Sequence, residues 1–261
     1  MTSVAWADYR APELRRFAER DAVVIVPIGS TEQHGPHLPV QVDALLVGEV
    51  ARRAAEQAAA RRPVLVLPTI WTGLAEHHMS FGGTITLAVA TFTALLRDVC
   101  ASLRRHGFRK ILLLNGHGGN VAALTVIVGE LAPDIDAAIA TATYFQAAQP
   151  EFSGILEHQS GIRHACEGET SMLLALRPDL VDQDAMRALS APAEGLGPVG
   201  GVYRWRPMQA WSESGVIGRP SAATAEKGER LLHSAAQVIA ARLCDDALWA
   251  EQPAAEGWTR Q

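Results

Sequence analysis

Fifteen consecutive residues, "GSTEQHGPHLPVQVD" (29–43), place Glu32, His34, His37 and Asp43 directly after an apolar run. Carboxylate and imidazole donors gathered in one loop, with no cysteine nearby, suit Zn²⁺ or Mn²⁺ and not a thiolate-type site. Glu32 and His34 are two apart, so an extended segment turns both to the same side. Asp43 returns after a stretch stiffened by Pro36 and Pro39, where a helix is expected to begin. An acid there also suits a helix N-terminus without any metal. His37 fits a supporting or surface role better than a ligand role. Three further segments add donors. "WTGLAEHHMSFGGT" (71–84) carries Glu76, His77 and His78, and "NGHGGN" (115–120) carries His117, Gly118 and Gly119. "HACEGETSMLLAL" (164–176) carries His164, Cys166, Glu167 and Glu169. Imidazole titrates near neutral pH, so His164 is the expected general acid/base. One of Glu167 and Glu169 is expected to serve only as a charge at a helix start. Cys166 as a nucleophile is the weaker alternative, because a small buried cysteine is commonly structural.

The elements that must position these groups are legible as periodicity. Four continuous apolar runs, at 22–29, 63–70, 110–116 and 136–145, read as strands covered on both faces. Helical patterns at 44–62, 88–107 and 120–133 separate them, which predicts βαβ units and a largely parallel sheet. Ligands in such sheets bind beyond the carboxyl ends of the strands. Three of the polar clusters follow strand ends, so they are expected to converge. A short buried helix is expected over 168–176 and a final helix over 223–248. The stretch 189–221 is rich in Gly, Pro, Ser and Ala, carries Trp205 and Trp211, and reads as a lid or an oligomer contact. No internal repeat or linker divides the chain, so 1–261 reads as a single domain.

A formal net charge of −5, with basic residues no more than paired, argues against nucleic acid or an anionic membrane as partner. No uncharged apolar stretch reaches the roughly 18 residues of a membrane span. Three widely spaced cysteines, Cys100, Cys166 and Cys244, suit free thiols in the cytoplasm. The glycine-rich "LLLNGHGGNV" matches neither a dinucleotide fingerprint nor a phosphate-binding P-loop, and no G-x-S-x-G nucleophile elbow occurs.

Taken together, "PIGSTEQHGPHLPVQVD", "NGHGGN", "GETSMLLAL" and "GVIGRPSAATAEKG" resemble the creatininase family of metal-dependent amidohydrolases, over about residues 20–245. The resemblance implies a three-layer α/β/α fold with a largely parallel central sheet. It also implies two divalent metals per chain, Zn²⁺ and/or Mn²⁺, and a hexamer built as a trimer of dimers. Glu32, His34, Asp43 and His117 match the family's metal ligands, with Asp43 as the bridging carboxylate. Creatininase has a Glu two residues after the "NGH" histidine, where this chain has Gly119. Many members with "NGHGGN" use the "ETS" glutamate instead, which is Glu169 here. His164 matches the catalytic histidine. The implied reaction is hydrolysis of a C–N bond in a small cyclic or linear amide by a metal-bridging hydroxide, with His164 protonating the departing amine. Glu76, His77, His78, Gly118 and Gly119 are then expected to contact substrate.

Departures from the family pattern bear on substrate. "FGGT" (81–84) stands where "F-P-G-T" is frequent, and "GRP" (218–220) where "G-D-P" is. No Trp occurs between 72 and 204, where creatininase has a tryptophan lid, so an amide other than creatinine is expected. The rival activities are a formylamino-pyrimidine deformylase, which Arg163, Arg204, Arg206 and Arg219 would suit, and a peptidase of the mycofactocin-precursor type. Outside enzymes, the rival is a metal-binding protein without turnover.

Overall fold

The computed structural model describes residues 3–189 and 202–250. After helix α1 (Ala11–Glu19), the run Val23–Ile28 forms β1, every residue of it buried. A strand with no polar face belongs inside a sheet, and β1 pairs in parallel on both sides. Its neighbours are β2 (Val64–Val66) and β3 (Lys110–Asn115), and β4 (Ala138–Thr143) adds beyond β3. The order among the described residues is β2-β1-β3-β4, all parallel.

The connections are α2 (Val42–Ala58), α3 (Val89–Arg105) and α4 (Val121–Leu131). After β4 come two short helices, α5 (Tyr144–Ala147) and α6 (Gln149–Ser153), then α7 (Glu167–Leu176). Helices α8 (Gln183–Ala188), α9 (Ala225–Leu243) and α10 (Asp246–Trp249) complete the described chain. The strand pleat sorts these helices into two layers. Val23 and Ile25 of β1 pack into one core with α2, α7 and α9. Val24, Val26 and Ile28 face the other way into a core with α3 and α4. The result is the expected α/β/α arrangement, and no described helix is long and apolar enough to cross a membrane.

Two elements are shorter than their apolar runs. The strand expected over 63–70 pairs only at Val64–Val66, because Pro27 of β1 has no N–H to carry the ladder on to Leu67; a lone bridge from Ile28 to Ile70 follows. The helix expected over 223–248 stops at Leu243, and Asp245 restarts the chain as α10 by accepting the Ala247 N–H at 3.0 Å.

Strand order decides where a site can form. From β1 the chain moves outward to β2, then crosses back over β1 to β3. The connections leaving β1 and β3 therefore part in opposite directions and open a crevice at their carboxyl ends. Glycine lets the start of α2 drop into that crevice. A Cβ on Gly29 would lie 2.6 Å from the Ala44 backbone, and one on Gly116 would lie 2.9 Å from the Asp43 carbonyl oxygen.

Candidate metal centre

Five buried side chains meet at these strand ends. Glu32 and His34 come from the loop after β1, Asp43 from the first turn of α2, His117 from the loop after β3 and Glu169 from the first turn of α7. Their atoms form two triads, Glu32–Asp43–His117 and His34–Asp43–Glu169, each with donor atoms within 4.8 Å of one another. Asp43 belongs to both. Its Oδ1 lies 3.3 Å from His34 Nε2, and its Oδ2 lies 3.0 Å from His117 Nδ1. Glu32 Oε2 is also 3.0 Å from His117 Nδ1, and Glu169 Oε2 is 4.0 Å from His34 Nε2.

The outer hydrogen bonds fix which imidazole atoms face inward. His34 donates from Nδ1 to the Glu32 carbonyl at 3.1 Å, and His117 donates from Nε2 to the Leu74 carbonyl at 3.1 Å. A carbonyl only accepts, so in the neutral ring the inward nitrogens, His34 Nε2 and His117 Nδ1, carry lone pairs. Those lone pairs face carboxylate oxygens. Glu32 Oε2, His34 Nε2, Asp43 Oδ2 and Glu169 Oε2 are buried without any hydrogen-bond partner. Buried polar atoms are normally satisfied, and four orphans pointing at one spot are what a divalent cation would satisfy. The donor set fits zinc or manganese.

The electrostatics say the same. Burial lowers the His34 imidazole, yet Asp43, Glu169 and Glu32 outweigh it and carry it up to about 9. His117 is likewise raised well above its ordinary value, against burial, by Glu32 and Asp43. Burial pushes the Glu169 carboxyl up to about 7 against the pull of His34, with Asp43 adding to the rise. Without a cation the cluster draws protons to offset its carboxylates.

The remaining predicted residues divide. His164 borders the cavity, its Nε2–H donating to the Gln33 carbonyl at 2.8 Å and its Nδ1 lying 3.6 Å from Glu32 Oε1. Burial, then His34 and His78, push its pKa well below the usual range, so the ring is neutral. His78 is buried, accepts from the Gln33 amide at Nδ1 (2.8 Å), and so presents Nε2–H to Glu32 Oε1 at 3.2 Å. His77 lies face to face with the His117 ring at 5.7 Å between centroids, and Glu76 is exposed at the cavity edge. Gly118 and Gly119 border the same cavity, and a side chain at Gly119 would collide with the Leu74 carbonyl and His117 Nε2. No Glu fits there.

Glu167 and Glu169 separate cleanly. Glu167 accepts from the Glu157 and His158 backbone N–H groups and from Lys227 Nζ at 2.8 Å. It is satisfied on the far side, while Glu169 Oε2 stays unpartnered at the centre. His37 is also supporting, its Nε2 bonded to Thr170 Oγ1 at 2.9 Å beside Glu169. Burial raises the Cys166 thiol to about 11, which removes the thiolate a nucleophile needs.

Sequence reasoning passed over the amides that tie the loops together. Asn115 accepts the His117 N–H at 3.1 Å and donates to the His117 carbonyl at 2.7 Å. Asn120 accepts from Leu74 N at 2.9 Å and donates to the Gly29 carbonyl at 3.2 Å, joining three strand-end loops. Their signal was position, flanking the "NGHGGN" histidine. Gly215 (φ 74°) and Gly218 (φ 121°) carry the segment around Ile217 across Gln33 and Cys166, where it pairs with His164.

Above the cluster opens a cavity of about 990 Å³. Its walls include Leu74, Leu87, Val121, Phe145, Met208 and Trp211, and Tyr203 to Arg206 border it as well. Of the segment expected to be a lid or an oligomer contact, 190–201 lies outside the described residues.

A parallel α/β/α sheet with two buried carboxylate–imidazole triads sharing one aspartate at its strand ends is an arrangement able to hold divalent metal ions. The family model described as "Creatininase: Creatinine amidohydrolase" matches residues 7–243, and the chain belongs to the creatininase family. The mycofactocin precursor peptide peptidase of Mycobacterium tuberculosis is 36% identical over 238 residues, covering 88% of this chain and 86% of that one. The creatinine amidohydrolase of Pseudomonas putida is 34% identical over 257 residues, covering 91% and 93%. A solved structure described as "Creatininase Mn" superposes with a TM-score of 0.77 at 30% identity, covering 93% of this chain and 98% of that one.

Proposed function

We infer that the chain hydrolyses the C–N bond of a small amide, using two divalent metals, zinc or manganese, held by Glu32, His34, Asp43, His117 and Glu169. The observation that carries this reading is the pair of triads sharing Asp43, with four inward atoms lacking a protein partner. Such metals, when bound, supply Lewis-acid polarisation of a carbonyl and acidify water. The chain's own residues do the rest. Asp43 offers one oxygen to each triad. Gln33 aims His78, and His78 aims Glu32, through the bonds at 2.8 and 3.2 Å. His164, held at Nε2–H by the Gln33 carbonyl, has Nδ1 available to accept a proton from the attacking water and pass it to the departing amine. Glu76, His77, Gly118 and Gly119 border the bound amide, and His78 contributes mainly through Glu32. The apolar walls exclude water from the floor.

A second reading, a peptide amide as the substrate, is favoured by the cavity. Its volume of about 990 Å³ exceeds the need of a single small lactam, and Phe145 and Trp211 suit larger side chains. The name of the Mycobacterium relative supports it.

The test is elemental analysis of protein purified without chelator, followed by a panel of lactams, formamides and short peptides. About two metals per chain with turnover of at least one amide is the expected result. A metal content near zero that persists after zinc and manganese are supplied overturns the reading.

A further inference from the structure

We propose that Arg163, Arg204 and Arg206 form an anion subsite at the mouth of the cavity, so that the substrate carries a carboxylate or phosphate away from its scissile amide. This rests on the amide-hydrolase reading above and specifies its substrate class.

All three guanidinium-bearing residues are exposed and border the same cavity as Glu32, Asp43 and Glu169. Among the described residues, none of the three has a carboxylate at ion-pair distance. Several arginines elsewhere are engaged, Arg52 and Arg53 with Glu49, Arg97 with Glu130 and Arg177 with Asp179, whereas these three are gathered unpaired on one cavity. The cavity's acid outside the floor is Glu76, so three guanidiniums face one carboxylate in a chain whose net charge is −5. Positive charge above low-dielectric walls focuses potential into the opening and draws anions. The planar guanidinium fork matches both carboxylate and phosphate, which is the chemistry the two ligand sources share.

The floor supplies the opposite sign. Glu32, Asp43 and Glu169 offset most of the charge that two divalent metals would bring, so the positive charge left without a protein partner lies with the arginines, which hold the anion at the mouth. A substrate with one anionic end and one amide is therefore oriented before it reaches the metals, amide inward. Tyr203 and Trp205 alternate with Arg204 and Arg206 along the segment and present flat apolar faces at the same opening.

The test is titration calorimetry with 4-aminobenzoate, 4-aminophenyl phosphate and the neutral 4-aminobenzamide, on the metal-loaded protein and on chelator-stripped protein. The expected result is binding of an anionic probe about tenfold tighter than the amide, the scale of one charge-assisted contact. The preference should persist without metal and vanish in the Arg163→Gln/Arg204→Gln/Arg206→Gln variant. Arg→Lys replacements should keep part of it. Whichever anion binds tighter identifies the source. Equal binding or none, a preference that survives loss of all three arginines, or one that exists only with metal present, overturns the proposal. Parallel turnover of the three N-formyl derivatives separates the two claims. Anion preference without turnover of any amide sinks the hydrolase reading alone, and turnover without anion preference sinks the subsite alone.

Discussion

At the floor of the cavity Glu32, Asp43 and Glu169 are at most 4% exposed, and each is set by a different segment. At the mouth Tyr203 and Trp205 are 74% and 53% exposed and come from one short stretch. The floor is over-determined. Glu32 is aimed by His78, His117 is held by Leu74 and Asn115, and α7 is pressed against α9. The mouth has no comparable support among the described residues. The difference teaches that the reacting geometry is built into the sheet ends, whereas selection of substrate is left to a surface segment that can change without disturbing the sheet.

The most severe way to break the floor is Asp43→Ala. Because one residue serves both triads, metal content should fall from about two to near zero, and amide turnover should drop by about 10³-fold or more. Retention of both metals, read by elemental analysis, would show that the shared carboxylate is misread.

The two glutamates of α7 sharpen the comparison within a single helix turn. Glu169→Gln should lose one metal and at least about a hundredfold of activity, with thermal stability of the stripped protein unchanged or raised. Glu167→Gln should keep both metals and lose about 1–3 kcal/mol of stability, because Lys227 and two backbone N–H groups lose a charged acceptor. Denaturant melts and metal analysis of both variants decide it.

The charge of the floor has a pH signature in the stripped protein. The facing carboxylates carry His34, against its burial, from 6.5 to about 9. A raised histidine contributes stability that is complete below 6.5 and is lost as pH rises through 9. Glu169, raised by burial from 4.5 to about 7, acts in the same direction at lower pH. Melting temperature of stripped protein should therefore fall between pH 6.5 and 9, and metal loading should flatten that fall. A flat profile without metal would contradict the cluster's demand for positive charge.

Smaller effects separate packing from chemistry. A Cβ on Gly228 would collide with the Ser171 carbonyl, so Gly228→Ala should push α9 off α7 at about 1–3 kcal/mol. Binding of the metal that Glu169 serves should weaken before the other. Trp205→Ala at the mouth should change stability by less than about 0.5 kcal/mol yet raise KM for any substrate found. A variant that melts early instead would place Trp205 in the fold and not in recognition.

Residue types and periods made much of this legible. Short, β-branched apolar runs set between helical patterns fit strands buried on both faces, so β1 and β3 could be read directly, and with them the loops that carry Glu32, His34 and His117. Family motifs then named the donors. Local pattern could not tell Glu167 from Glu169, because the partner that claims Glu167 is Lys227, 60 residues further on. Nor could it foresee that His78 turns its Nε2 to Glu32, or that of Arg163, Arg204, Arg206 and Arg219 only the first three border the cavity.

Donor chemistry and the identity of the central strands were properties of neighbouring residues, and the sequence alone determined them. Which donors share Asp43, which carboxylate is left unpartnered and which charges face each other across the cavity depend on the order β2-β1-β3-β4 and on the close approach that Gly29 and Gly116 permit. Those are distances between segments far apart in the chain, and only the packed tertiary structure sets them.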